Sequence, residues 1–129
     1  KAKEMDIKPL AKIIDFHDVA IEPNKFTIAP SKAIKELALK TDSNLEDIDL
    51  FEINEAFSMV PIVNMNILSL DDKKVNINGG AVSLGHPLGC SGARILTTLI
   101  HNLHRLNKKK GIAAICNGGG GASSVQIKI

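Results

Sequence analysis

His86 lies in a glycine-rich segment whose residue types could support catalysis, SLGHPLGCSGAR at residues 83–94. Glycines and a proline flank the imidazole, and a predicted helix begins just after it. The positive end of a helix favours a neutral imidazole, which can accept a proton from a thiol. The alternative is a histidine that only fills the turn. The glycine and proline neighbours favour the chemical role.

Cys116 ends an apolar stretch and is followed by Asn117 and the four glycines 118–121. A cysteine in that position is most often a small buried hydrophobic residue. Glycines, however, allow backbone N–H groups to turn towards a bound oxygen, and a thiol beside them could take or give a proton at carbon. The segment therefore predicts acid–base chemistry beside an oxyanion-binding turn, with simple packing as the alternative.

The remaining candidates carry weaker signals. Asn54 follows a predicted strand, where it could cap a helix or, with its side chain pointing outward, join the same site. Cys90 stands at the start of a predicted helix and is interpreted as a packing residue. His101 and His104 are three residues apart on that helix, but no third metal ligand is evident, so a solvated face is expected. His17 has no partner visible in the sequence.

Strands and helices alternate along the chain, and this order positions the candidates. The βαβαβαββ pattern predicts an α/β fold with a five-stranded mixed, mostly parallel sheet, helices on both faces, and an antiparallel edge strand at the end. Because sites in such sheets form at the carboxyl ends of strands, Asn54, His86 and Cys116 should share one edge. The predicted strands are 9–20, 48–53, 75–82, 111–116 and 124–129, and the predicted helices are 31–40, 54–68 and 91–106.

The composition indicates a single domain and excludes several classes of protein. The chain has 129 residues, 44% of them apolar, and a net charge of +2 without Trp or Tyr, which argues against a nucleic-acid surface. No apolar run is long enough for a membrane span. Neither glycine-rich turn has the Lys and Ser/Thr of a phosphate-binding loop. Lys108, Lys109 and Lys110 are expected to complete the last turn of a helix.

Two cysteines without a CxxC pair favour a reducing compartment. The first residues resemble neither a signal peptide nor a transit peptide and lack an initiator methionine. The chain is therefore expected to be a piece of a longer one.

Three segments together resemble one known family. NEAF at 54–57, NGGAVSLGHPLGCSGAR at 78–94 and CNGGGGA at 116–122 look like the three C-terminal motifs of thiolases, in their usual order and at similar spacing. The likeness is nearest to the biosynthetic, mitochondrial-type acetyl-CoA acetyltransferases. It implies that residues 1–129 are the C-terminal domain of a duplicated α/β fold, whose N-terminal half carries the nucleophilic cysteine and is absent here.

The resemblance also implies a reaction: Claisen condensation of two acetyl-CoA to acetoacetyl-CoA and CoA, and the reverse thiolysis. His86 would activate the nucleophilic cysteine and, with a water held by Asn54, bind the first thioester oxygen. Cys116 would exchange a proton with the α-carbon, and the N–H of Gly118 would contribute to a second oxyanion hole. Phe57 would contact the substrate at the edge of the pocket.

The resemblance implies no required cofactor, and it implies coenzyme A thioesters as substrates. Potassium activation is known in the mitochondrial type, where the ion site would include the backbone of Val82. The partners implied are CoA, the N-terminal half and further copies of the complete chain as a dimer or tetramer, in the mitochondrion or cytoplasm, without nucleic acid or membrane. The isolated chain is expected to be inactive. A non-catalytic binding or assembly domain is the alternative, whereas the related ketoacyl synthases lack a cysteine base in such a turn.

Overall fold

The computed structural model describes residues 1–129, which form four strands and four α-helices. No helix combines the length and the apolar composition that a bilayer crossing requires. The strands are β1 (Lys12–Ala20), β2 (Leu50–Ile53), β3 (Lys110–Cys116) and β4 (Gly121–Lys128), and the helices are α1 (Ala29–Lys40), α2 (Met59–Leu68), α3 (Ala81–Leu84) and α4 (Ser91–Arg105).

The strands form one mixed sheet in the order β1-β4-β3-β2. β2 and β3 pair in parallel, and β4 is antiparallel to both β1 and β3. The α/β class and the mixed sheet are confirmed, but the sheet has four strands, not five, and only one of its strand pairs is parallel. β4 is antiparallel as predicted, yet it is internal, because β1 covers the edge that the β3–β4 hairpin leaves open.

The strand predicted at 75–82, third along the chain, is not formed, and a side-chain contact takes its place. Val75 makes a single parallel bridge to Phe51, and the chain then turns away at Asn76, whose φ is +46°. The amide of Asn76 pairs with the main chain of Ile53: Oδ1 accepts from its N–H at 2.8 Å and Nδ2 donates to its carbonyl at 2.8 Å. A side chain therefore satisfies the edge of β2 where a strand was expected.

Helices cover both faces of the sheet, as predicted. Alternation along β2 sends Phe51 and Ile53 to the face under α1 and α2, and Leu50 to the face under α4. The two apolar clusters include Ala33, Ile34, Leu37, Val60 and Ile112 on the first face, and Ile95, Leu99, Leu103, Ala113 and Ile127 on the second.

Three predicted helix boundaries differ from the structure, and all four strands begin at a residue other than the one predicted. α2 begins at Met59 rather than Asn54, which places Pro61 in its first turn, where a missing N–H costs no helical hydrogen bond. α1 begins at Ala29, two residues before Ser31. α4 ends at Arg105, so the lysines 108–110 do not complete it. The carboxylate of Asp49 instead accepts from the N–H groups of Lys109 and Lys110 at 2.9 Å each.

We expect Asn64→Ala to lower the free energy of unfolding by about 1–3 kcal/mol, because buried backbone groups would lose their partners. The fully buried Asn64 amide accepts from Ser31 N at 2.6 Å and donates to the carbonyls of Thr27 and Val60 at 2.7 Å each. Urea unfolding of the 129-residue chain measures the change. Asn66→Ala, at an exposed position of the same helix, is the control and should shift stability by less than about 0.5 kcal/mol.

Candidate active site

One cavity brings together four of the five residues singled out for the site. It has a volume of about 650 Å³ and opens at the carboxyl end of β3. His86, Cys116, Gly118 and Phe57 line it, together with Phe26 and Leu88 among other residues. The grouping of these side chains at one sheet edge agrees with the expectation for strand ends.

The ring of His86 is oriented by the first residue of α4. Its Nδ1 lies 2.6 Å from Oγ of Ser91, and that oxygen lies 3.1 Å from the carbonyl oxygen of Pro87. A hydroxyl has one proton, so when Ser91 donates to Pro87 it accepts from Nδ1–H of His86. In that arrangement the proton lies on Nδ1, and Nε2 is the nitrogen that can accept a proton. Ser91 is fully buried, which holds the ring in place.

Cys116 is the last residue of β3 and is 8% exposed. Burial raises the pKa of its thiol above the ordinary value, opposed only in part by a backbone hydrogen bond. The thiol is therefore the resting form at neutral pH, and the thiolate, once formed, is a stronger base than that of an exposed cysteine.

The turn after Cys116 leaves one N–H free at the cavity. Oδ1 of Asn117 accepts from the N–H groups of Gly119 and Gly121, at 3.0 and 3.2 Å, and Gly120 N donates to the carbonyl of Asn117 at 3.2 Å. Gly118 lines the cavity, and its N–H makes no hydrogen bond within the chain. At Gly120, whose φ is +91°, a Cβ would collide with the carbonyl oxygen of Ile21, so only glycine fits the turn.

Asn54 does not line the cavity and does not cap a helix. It is 1% exposed, and its backbone N–H donates to the carbonyl of Ala114 on β3 at 2.9 Å. The Nδ2 and Oδ1 atoms of its side chain are both buried without a hydrogen-bond partner in the chain. Such an amide is uncommon in folded proteins and is suited to holding a buried water.

The other candidate residues do not join the site. Cys90 is exposed in this chain, so the interpretation as a packing residue is wrong. His101 and His104 are both exposed, with Nε2 of His104 2.7 Å from the carbonyl of Leu10. His17 has the partner that the sequence did not reveal, the Glu36 carboxylate at 2.8 Å. No group of three or more His, Cys, Asp or Glu side chains is arranged to hold a metal ion.

Sequence reasoning missed several polar residues around His86, of which Ser91 and Arg94 are direct supports. Nη1 of Arg94, on α4, donates to the carbonyl of Gly85 at 2.7 Å, one residue before the histidine. The spacing of Ser91 and Arg94 from His86, five and eight residues, was the only available signal. Since α4 begins at Ser91, both residues lie in its first turn, and their side chains point back over the turn that carries His86.

Glu52 is a buried carboxylic acid on β2, two residues before Asn54, and is 4% exposed. Burial raises its pKa to about 7; the neighbouring Glu55 also raises it, while the Asn102 amide and the Arg94 guanidinium oppose the change. The unfolded chain releases this proton near the ordinary pKa of 4.5. Between these two values the folded chain holds a proton that the unfolded chain has lost, so folding stability falls as pH rises from about 4.5 to about 7.

We expect Glu52→Gln to remove this pH dependence. The loss of unfolding free energy between pH 5 and pH 8 should be smaller in the variant than in the unmodified chain, by about 2–3 kcal/mol. Urea unfolding at the two pH values measures it, with the exposed Glu46→Gln as the matched control. An equal pH dependence in the Glu52 variant and the unmodified chain would contradict the assignment.

Comparisons with known proteins identify the family. The model of the thiolase C-terminal domain matches residues 7–129. A mitochondrial acetyl-CoA acetyltransferase of Bos taurus is 50% identical over 127 residues, 98% of this chain and 30% of the relative. A cytosolic acetyl-CoA acetyltransferase of Gibberella zeae is 50% identical over 128 residues, 99% of this chain and 32% of the relative. The chain thus spans about a third of the length of the curated relatives it matches.

Solved structures show the same fold at high similarity. The acetyl-CoA acetyltransferase of Bacillus anthracis superposes with a TM-score of 0.96 at 46% identity, over 98% of this chain and 32% of that one. The Acat5 thiolase of Ascaris suum, solved in complex with coenzyme A, gives a TM-score of 0.93 at 49% identity, over 98% of this chain and 33% of that one. The chain therefore belongs to the thiolase family, and its residues correspond to the C-terminal domain of those enzymes.

Proposed function

We propose that this chain is the C-terminal catalytic domain of an acetyl-CoA acetyltransferase, which condenses two acetyl-CoA to acetoacetyl-CoA and CoA and runs the reverse thiolysis. The observation that carries the proposal is the shared cavity: the imidazole of His86, the thiol of Cys116 and the unpaired N–H of Gly118 all line it. A base, a proton carrier and an oxyanion donor are the three groups that this chemistry needs.

In the first half-reaction, Nε2 of His86 takes the proton of a cysteine thiol supplied by the N-terminal half of the complete protein. The thiolate attacks the carbonyl of acetyl-CoA and the C–S bond to CoA breaks. The departing CoA thiolate takes the proton of the Cys116 thiol, which leaves Cys116 as a thiolate, while the proton of the upstream cysteine stays on His86 until that cysteine is released. The oxygen that becomes negative is stabilised by Nε2–H of His86 and by a water held by the Asn54 amide. The tautomer in which Ser91 accepts from Nδ1–H supports this role, because it leaves Nε2 free to accept.

In the second half-reaction, the Cys116 thiolate removes a proton from the α-carbon of a second acetyl-CoA. The resulting carbanion attacks the acetyl-enzyme carbonyl, which forms the new C–C bond and releases the upstream cysteine. The Gly118 N–H donates to the thioester oxygen as the charge develops there. The raised pKa of the Cys116 thiol supports this step, since a more basic thiolate is a better acceptor for a proton on carbon.

The substrates proposed are coenzyme A thioesters. Phe57, 58% exposed, packs edge to face on Phe26 at a centroid distance of 6.1 Å and forms an apolar wall of the cavity. This wall is suited to the apolar part of an acyl-CoA, and we place the entrance of CoA at the edge between Phe57 and His86. The coenzyme A in the Ascaris suum structure supports this choice of ligand class.

We extend the proposal to the assembly and the compartment of the complete protein. The partners proposed are the N-terminal thiolase half and further copies of the complete chain, as a dimer or tetramer. The relatives named as mitochondrial and as cytosolic support either the mitochondrion or the cytoplasm as the compartment. For potassium this chain offers only the exposed segment at Val82. One backbone carbonyl does not make a potassium site, so no step is assigned to that ion.

Variants of the full-length protein test whether His86 acts in acyl-enzyme formation and Cys116 in the later condensation. His86→Ala should lower the rate of acyl-enzyme formation from acetyl-CoA by about 10²–10⁴-fold, whereas Cys116→Ala should still form the acyl-enzyme but fail to make acetoacetyl-CoA. Mass spectrometry of the trapped acyl-enzyme and a condensation assay separate the two steps. His101→Ala and Cys90→Ser, at exposed positions, are the controls. Loss of acylation in a folded Cys116 variant would contradict the assignment.

A further inference from the structure

We propose that Glu55 is a positioning residue for His86: its carboxylate holds the Gly80–Val82 backbone, and through it the turn that carries the imidazole. The proposal rests on the proposed function, because the position of His86 matters only if that side chain acts on the substrate. Glu55 itself does not line the cavity.

Both oxygens of the Glu55 carboxylate accept hydrogen bonds from groups that flank the His86 segment. Oε2 accepts from the backbone N–H of Val82 at 2.9 Å, and Oε1 accepts from Nδ2 of Asn76 at 3.1 Å. Asn76 is in turn paired with both main-chain groups of Ile53 at the end of β2. The carboxylate therefore connects the sheet edge to the first turn of α3.

A steric contact indicates the same role independently. A Cβ built on Gly80 would lie 2.6–2.9 Å from the three carboxylate atoms of Glu55. The φ of Gly80 is −159°, an extended conformation open to any residue, so backbone geometry does not require glycine there. With the carboxylate in its present position there is no room for a Cβ, so any larger residue at position 80 would have to displace Glu55.

Polar contacts carry unusual weight in this segment because it buries little apolar surface within the domain. Val82, Leu84 and Leu88 are 65%, 68% and 81% exposed. Only three residues lie between Val82 and His86. On the far side of the turn, Arg94 holds the carbonyl of Gly85 and Ser91 holds the ring. Glu55 supplies the corresponding support on the near side, so its loss should let the turn move.

The two contacts also explain why a carboxylate occupies this position. Val82 N–H and the Asn76 amide are both donors, and a carboxylate offers two acceptor oxygens to them. A glutamine offers one acceptor and one further donor, so it can satisfy only one of the two partners. An alanine satisfies neither. Activity should therefore decrease in the order Glu, Gln, Ala at position 55.

The experiment measures acyl-enzyme formation from acetyl-CoA in the full-length protein. Glu55→Ala should lower the maximal acylation rate by about 10–100-fold while the KM for acetyl-CoA changes less than about threefold, because the base is displaced and the binding surface is kept. Glu55→Gln should lose less. Glu46→Ala, an exposed glutamate close to β2, is the control and should retain the unmodified rate. Thermal unfolding verifies that each variant is folded.

A second pair of variants tests the contact itself. Gly80→Ala should displace the Glu55 carboxylate and lower the acylation rate. In the double variant Gly80→Ala/Glu55→Ala the added methyl meets no carboxylate, so the Gly80 substitution should cost little beyond the loss already caused at Glu55. This non-additivity would support the proposal, and independent, multiplicative losses would overturn it.

The outcomes separate this inference from the proposed function. If His86→Ala abolishes acylation but folded Glu55→Ala keeps more than half of the rate, the positioning role is wrong and the proposed function stands. If Glu55→Ala raises the KM and leaves the maximal rate unchanged, Glu55 supports the binding surface and the proposal is likewise overturned. If His86→Ala leaves acylation intact, both proposals fail.

Discussion

The parallel pairing of β2 with β3 is the constraint on which the candidate site depends. Ile53 is in register with Ala114, and Asn54 N–H donates to the Ala114 carbonyl as β2 ends. Cys116 follows two residues later on the neighbouring strand, so both strand ends open on the same edge. The segment that enters α4 then crosses this edge and brings His86 above it. Without this pairing the three motifs would have no common site.

At that edge the chain leaves several polar groups unpaired, although hydrogen bonding elsewhere is nearly complete. The Gly118 N–H, the Asn54 amide and Nε2 of His86 have no partner within the chain. Neighbouring side chains are paired within the chain: Oδ1 of Asn117 accepts from two glycine N–H groups, and Oγ of Ser91 contacts both Pro87 and His86. Of these groups the Asn54 amide is fully buried, and an unpaired buried amide is unfavourable for folding, which makes it an indication of function. Preorganised donors of this kind need no rearrangement as charge develops in a reaction.

Local sequence signals predicted much of this arrangement. Apolar periodicity located the strands β2 and β3 and the helices α1 and α4, and the glycines around His86 and Cys116 indicated turns of unusual geometry. Because a helix connection between two parallel strands brings their carboxyl ends to the same edge, the shared edge could also be anticipated.

Contacts between distant residues could not be predicted in the same way. The predicted strand 75–82 does not form because Asn76 adopts a left-handed conformation and its side chain pairs with Ile53, which no periodicity encodes. The internal position of β4 depends on its pairing with β1, more than 100 residues away in the chain. The roles of Glu55 and Arg94 depend on backbone groups that they meet only after folding.

The most direct test of the account is thiolysis by this chain, measured as loss of acetoacetyl-CoA enolate absorbance in the presence of CoA. The account predicts no activity from the 129-residue chain alone. It predicts recovered activity when the N-terminal half is supplied, and no recovery when the chain carries Cys116→Ala. Activity from the chain alone would contradict it, because one of the two cysteines present, Cys90 or Cys116, would then be the nucleophile.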